Sequence, residues 1–162
     1  DIDIMAGATK TDAFLAKSPA GQVPFIELDD GRCLSQSNAI MLFLAQDSPL
    51  IPKDPYLKAR MNEWLFWEQY SHEPYIAVMR FQMKYLGKSV NELDPAKVER
   101  GIHALQFMEN ALTSPYLVAE QFSLADIALY AYTHMAGEGG FDLTTYANIQ
   151  NWLHRISRHL GL

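Results

Sequence analysis

The chain has 162 residues, 49% of them hydrophobic, with 13 Lys and Arg against 19 Asp and Glu and a formal net charge of −6. That content can bury a real core in one compact unit or two small ones, and the acidic balance gives no field that would draw in nucleic acid or anionic lipid. The single cysteine, Cys33, excludes an intrachain disulfide framework, a CxxC redox pair and a thiolate zinc site. No stretch approaches the roughly 20 apolar residues that span a membrane, and the start lacks the basic and apolar regions of a signal peptide. The expectation is a cytoplasmic protein with neither nucleic acid nor membrane as partner.

Asp1, Ile2, Asp3 and Ile4 alternate as in a half-buried strand already under way over 1–5. Ala6-Gly7-Ala8 breaks the pattern, and Thr11 or Asp12 caps a short helix with Phe14 and Leu15. Val23 to Leu28 is β-rich, Asp29-Asp30-Gly31 is a hairpin turn signal, and Arg32-Cys33-Leu34 returns as the second strand, with Cys33 expected to be packed. Ser35 to Asn38 supply caps for a helix that carries Ile40, Phe43 and Leu44. A Pro-rich segment over 48–55 reads as a linker between a first module, 1–47, and a second, 56–162. The second module is read as all-helical, over 56–86, 95–112, 124–137 and 145–159, with a kink near Ser71 ahead of Pro74. The segment 124–132 is apolar nearly all round and belongs in the middle of a bundle.

Two places carry chemistry in the first module. Pro24 opens a strand without a ladder donor, so it marks a sheet edge or a special backbone geometry. Only ~5% of such bonds are cis, and the residues alone favour an ordinary trans proline. Gln36 and Ser37 stand where the return strand becomes a helix, and free amides with the positive end of the helix dipole make that start a carboxylate binder. By themselves the two residues read first as caps of the helix. In the second module, Phe122-Ser123-Leu124-Ala125-Asp126-Ile127 has the spacing of a capping box with a hydrophobic staple, which makes Asp126 a folding residue instead of a catalytic acid.

Ser18-Pro-Ala-Gly-Gln-Val-Pro24, Asp30-Gly31, Leu34-Ser-Gln-Ser-Asn-Ala-Ile40 and the Ser123 to Asp126 box together resemble the glutathione transferase family, over essentially the whole chain. The resemblance implies an α+β fold: a partial thioredoxin-like domain followed by an all-helical bundle. It implies that Pro24 is cis, that Val23 pairs with the cysteinyl part of glutathione, and that Gln36 and Ser37 hold its γ-glutamyl carboxylate. Many relatives have glutamate where Gln36 stands. Lys10, with Thr9 as rival, is a candidate for the glycine carboxylate. Members of the family begin with a strand and a helix that have no counterpart here, and their thiol-activating residue lies in that part. No catalytic residue is therefore assigned within this chain; it is expected upstream of Asp1.

By the same resemblance, the first helix of the second module lines a cleft for an electrophile, with Trp67, Tyr70, His72 and Tyr75 as candidate contacts. His103, His134, His154 and His159 lack metal-ligand spacing, so no metal is expected. The implied activity is conjugation of glutathione, as co-substrate, to small hydrophobic electrophiles in detoxification, by a homodimer that pairs through the helix around Arg60 to Trp67. Glutathione-dependent disulfide or peroxide reduction is an alternative on the same fold, and a non-catalytic binding protein is another.

Overall fold

The computed structural model describes residues 2–162, and the chain divides into two compact units, Asp1–Ser48 and Pro49–Leu162. In the first unit the strand expected over 1–5 is not formed among the described residues, and Asp1 lies outside them. Asp3 Oδ1 instead accepts from the amides of Met5, at 2.9 Å, and Ala6, at 3.0 Å. A local side-chain acceptor of this kind competes with a ladder, and Ile2 and Ile4 are left exposed. A 3₁₀ turn, Ala8–Lys10, leads into helix α1, Asp12–Leu15. Thr11 caps it, its hydroxyl accepting from the Phe14 amide at 3.3 Å. Phe14 is buried edge-on against Phe25, with ring centroids 5.0 Å apart.

Strands β1, Phe25–Glu27, and β2, Cys33–Ser35, pair antiparallel with Phe25 opposite Ser35, Ile26 opposite Leu34 and Glu27 opposite Cys33. The turn between them closes through Leu28 and Arg32 and through Gly31, whose φ of 84° suits a residue without Cβ. Helix α2, Ser37–Leu44, follows directly and buries Ile40.

In the second unit Asp54 and Pro55 set a helix start. The Asp54 carboxylate accepts from the Leu57 amide at 2.8 Å, and proline at the first position donates nothing that the helix needs. Helix α3, Pro55–Trp67, runs into a π-turn, Glu68–His72, and continues as α4, Glu73–Lys84. The kink expected ahead of Pro74 takes this form, with the Glu73 amide donating to the Glu68 carbonyl five residues back. Helix α5, Pro95–Ala111, begins at a second aspartate-proline cap, Asp94. Helix α6, Leu124–Thr133, buries Leu124, Ala125, Asp126, Ala128, Leu129, Tyr130 and Thr133, so it is nearly apolar all round and sits between α3, α4 and α7. It ends earlier than the expected 137, passing into a 3₁₀ turn, Ala136–Gly139. There Gly139 approaches α4 so closely that a Cβ would lie 2.8 Å from the Arg80 amide nitrogen. Helix α7, Ala147–Leu160, buries one stripe, Ile149, Trp152 and Ile156.

The architecture is α+β, with a partial thioredoxin-like first unit and an all-helical second unit. No described helix is long and apolar enough to cross a membrane.

Candidate functional site

The register of the hairpin decides which backbone meets which helix. Phe25 faces Ser35, so Val23-Pro24, just ahead of β1, and Gln36-Ser37, just after β2, extend from the same end of the ladder. The Val23–Pro24 peptide is cis. Val23 is exposed and lies outside the two-stranded ladder. The loop before it is fixed from below: the buried Ser18 hydroxyl donates to the Gln22 carbonyl at 3.2 Å and lies 3.3 Å from the Ser35 hydroxyl. This bond ties the loop to the last residue of β2.

Across the gap, Gln36 adopts φ 75° and ψ 117°, a left-handed backbone that a residue with a Cβ adopts only at a cost of about 1–3 kcal/mol. Its side chain makes no capping hydrogen bond to α2. The first bond of the helix is Ile40 N to Gln36 O, at 2.9 Å. The amides ahead of it have no acceptor within the helix, and the helix dipole adds to their positive character. Capping, the competing reading of Gln36, thus finds no bond in the structure. Ser37 stands at the first helical position, half-buried.

Lys10 approaches from the other side. Its ammonium donates to the Gly21 carbonyl at 3.1 Å, and Gly21, at φ 61°, sits so close that a Cβ there would meet Lys10 Nζ at 2.8 Å. One lysine donor is thereby engaged at the loop that carries Val23, while two more remain on the group. Thr9, its rival, is buried. The first unit therefore brings the cis Val23–Pro24 peptide and the Gln36-Ser37 helix start to one end of the hairpin, with Lys10 held on the loop that leads to Val23. Ser18 and Gly21 entered the sequence reading only as members of the Ser18 to Pro24 run, with no role of their own; the role of Ser18 emerges once its hydroxyl is seen to bridge two segments.

Cys33 is exposed on β2, not packed as expected, because it faces Glu27 at the open turn end of a two-stranded ladder. It lies away from the Val23 end. No cluster of three or more potential metal ligands is found among the described residues.

The four aromatic candidates of the second unit part company. Tyr70 is 83% exposed. Trp67 packs in a ring cluster, 5.3 Å from Trp64 and 5.0 Å from Phe107, and keeps only an intermediate exposure. The Tyr75 hydroxyl accepts from Arg100 at 2.9 Å. His72 is wholly buried, so it presents no face to a ligand in this structure. Burial alone lowers its pKa from 6.5 to about 3. The π-turn rotates it inward against α6, a placement that period-3.6 reasoning does not reveal.

Ser123 and Asp126 form a reciprocal capping box. Asp126 Oδ2 accepts from the Ser123 amide, at 3.0 Å, and its hydroxyl, at 3.2 Å. Its Oδ1 accepts from the Leu117 amide, at 3.0 Å, and from Trp152 Nε1, at 2.9 Å. Burial pushes this carboxyl up while the hydrogen bonds pull it down. Phe122 packs on Tyr116 and His159. All four donors converge on structure, and no path leads from the carboxylate to solvent chemistry.

A thioredoxin-type hairpin that runs directly into a helix, followed by an all-helical unit, defines a class of two-module α+β proteins. Family models agree: "Glutathione S-transferase, N-terminal domain" matches residues 2–47 and "Glutathione S-transferase, C-terminal domain" matches residues 68–159. The chain belongs to the glutathione S-transferase family. It is similar to a glutathione S-transferase from Pseudomonas fluorescens Pf-5 of solved structure, at 52% identity and a TM-score of 0.94, covering 98% of this chain and 80% of that one. It is 28% identical over 167 residues to the disulfide-bond oxidoreductase YfcG of Escherichia coli, covering 96% of this chain and 76% of that protein. It is also 28% identical over 162 residues to elongation factor 1-gamma of Artemia salina, covering 92% of this chain but only 35% of that protein. The chain thus spans about a third of the elongation factor and about three quarters of the oxidoreductase.

Proposed function

We propose that this chain holds glutathione in a cytoplasmic transferase that conjugates it to small hydrophobic electrophiles. The observation that supports the reading is the backbone of Gln36: held at φ 75° with no side-chain cap to α2, at the same end of the hairpin as Val23. In this reading the Val23 backbone pairs with the cysteinyl unit, Gln36 and Ser37 hold the γ-glutamyl carboxylate, and Lys10 meets the glycine carboxylate. Glutathione supplies the thiol; the chain's own residues fix where that thiol points, which lowers the entropic barrier to attack. Tyr70, with Trp67 and Tyr75, forms the acceptor surface, and a homodimer for detoxification pairs through α3, where Tyr56 and Phe66 are 70% and 76% exposed.

Calorimetry with glutathione, comparing the full-length chain with its Ser37→Ala variant, tests the site. Loss of a hydrogen bond to a charged carboxylate, worth about 1.5–3 kcal/mol, predicts a roughly 10- to 100-fold weaker Kd. Equal affinity for both proteins removes the pocket from this place. A second reading, disulfide reduction, is favoured by the similarity to the oxidoreductase. Parallel assays of the full-length chain against an aryl halide, a disulfide and a peroxide decide between them.

A further inference from the structure

The π-turn Glu68–His72 has two anchors. Pro74 is the first: its ring carries no N–H and, in an α register, would collide with the Tyr70 carbonyl four residues back. Widening the turn by one residue relieves that collision, and the Glu73 amide then donates to the Glu68 carbonyl. Such turns have poorer hydrogen-bond geometry than an α-helix and cluster at functional places.

His72 is the second anchor. The Thr133 hydroxyl has one proton, and it goes to the Leu129 carbonyl at 2.7 Å. Its oxygen therefore accepts from His72 Nε2, 3.0 Å away. That fixes the imidazole as the Nε2–H tautomer and leaves Nδ1 a buried lone pair with no partner among the described residues. The bond joins the last residue of the π-turn to the last residue of α6, while the imidazole packs 5.9 Å from the Trp67 ring. Within the π-turn, two residues ahead of His72, Tyr70 is 83% exposed.

We infer that His72 is a positioning residue: by donating Nε2–H to Thr133 it holds the π register, and so sets the direction in which Tyr70 meets an aromatic or other apolar acceptor. The inference rests on the proposed reading of Tyr70 as acceptor surface. Without the latch, the extra residue of the turn can pass along the helix, and each residue of shift turns Tyr70 by about 100° around the helix axis.

The test uses the full-length protein and three variants around the latch. His72→Gln keeps an amide donor at the Nε2 position, His72→Asn withdraws it, and Thr133→Val removes the acceptor from the other side with little change of shape. The expected result is a several-fold higher KM for an aryl halide in His72→Asn and Thr133→Val, with the KM for glutathione unchanged. Amide hydrogen exchange should be faster over 68–73 in the same two variants, and His72→Gln should restore both readouts. Wild-type acceptor KM in the two variants overturns the inference, whether the turn has loosened or not. Tyr70→Ala separates the two levels. If it leaves the acceptor KM unchanged, the acceptor reading fails and the inference with it. If it raises KM while the latch variants stay silent, only the role of His72 is overturned.

Discussion

Gln36 and Asp126 illustrate two opposite relations between a residue and its surroundings. At Gln36 the backbone is held at φ 75° although the side chain contributes no cap to α2. Gln36→Gly is expected to stabilise the chain by about 1 kcal/mol, since glycine adopts that φ freely and the strain is of this order. The same change should weaken glutathione binding by removing the amide. Urea midpoints read against calorimetry check the pair of signs, and a variant both less stable and equally tight would contradict them. Asp126 is the reverse, a buried carboxylate whose two oxygens accept from Leu117, Trp152 and both donors of Ser123. Asp126→Ala should cost about 3–5 kcal/mol, because several buried donors lose their acceptor together. Ser123→Ala, which removes one leg of the box, should cost only about 1 kcal/mol. Equilibrium unfolding of the two variants measures the ratio.

At the scale of elements, helix positions are set by caps at one end and by close approaches along the side. Helix α7 starts where the Glu109 carboxylate of α5 accepts from the amides of Asn148 and Ile149, both at 3.0 Å. Its first turn is thus tied to a neighbouring helix and not to a residue of its own. Gly101 in α5 shows the other control. A Cβ there would fall 2.4 Å from Phe141 Cζ, and Phe141 is itself buried. Helix propensity alone predicts that Gly101→Ala stabilises by nearly 1 kcal/mol. The overlap with a ring that has no room to retreat predicts the opposite sign, a loss of about 1–3 kcal/mol. Thermal unfolding of this variant gives the sign directly. Where helix α4 meets the 136–139 turn, Glu138 accepts from both Arg80 and Lys84, which fastens the close approach of Gly139 from the solvent side.

For the molecule as a whole, pH is the variable that reports on its interior. His72 has a folded pKa of about 3 against an ordinary 6.5, with burial as the cause. Below pH 6.5 the unfolded chain takes up a proton there and the folded chain does not, so stability falls as pH falls. The loss approaches about 1.4 kcal/mol per pH unit and continues to the neighbourhood of pH 3. Asp126 and Glu73 have the opposite sign. Burial raises both carboxyls, so the stability they contribute is present at low pH and is lost as pH rises through their raised range. The carboxyl contributions are common to the parent chain and to a His72 variant, so the difference between the two isolates the histidine. Urea unfolding at pH 7, 6 and 5 should show the slope in the parent chain and its absence in His72→Gln. A slope that survives the substitution assigns the effect to another group.

The sequence by itself determined the features whose partners lie a few residues apart. The turn at Gly31, the Thr11 cap, the kink ahead of Pro74 and the spacing of Ser123 and Asp126 were legible because each depends on φ, on a missing N–H, or on the reach of a side chain to the next turn. The order of a strand-bearing module and a helical one was legible for the same reason, since periodicity is a local property. What only the tertiary structure decided involves groups far apart in the chain. The alternation of Ile2 and Ile4 could not show that Asp3 would close a turn in place of a ladder. No pattern in the sequence pointed to Ser18 beside Ser35, Lys10 on the Gly21 carbonyl, or Trp152 and Leu117 as donors to Asp126. His72 is the sharpest case. As a letter it was a polar residue on a helix that lines a cleft. Folding withdrew it from water and joined it to Thr133, 61 positions away, because a hydrogen bond's partner is fixed by distance in space and not by spacing along the chain.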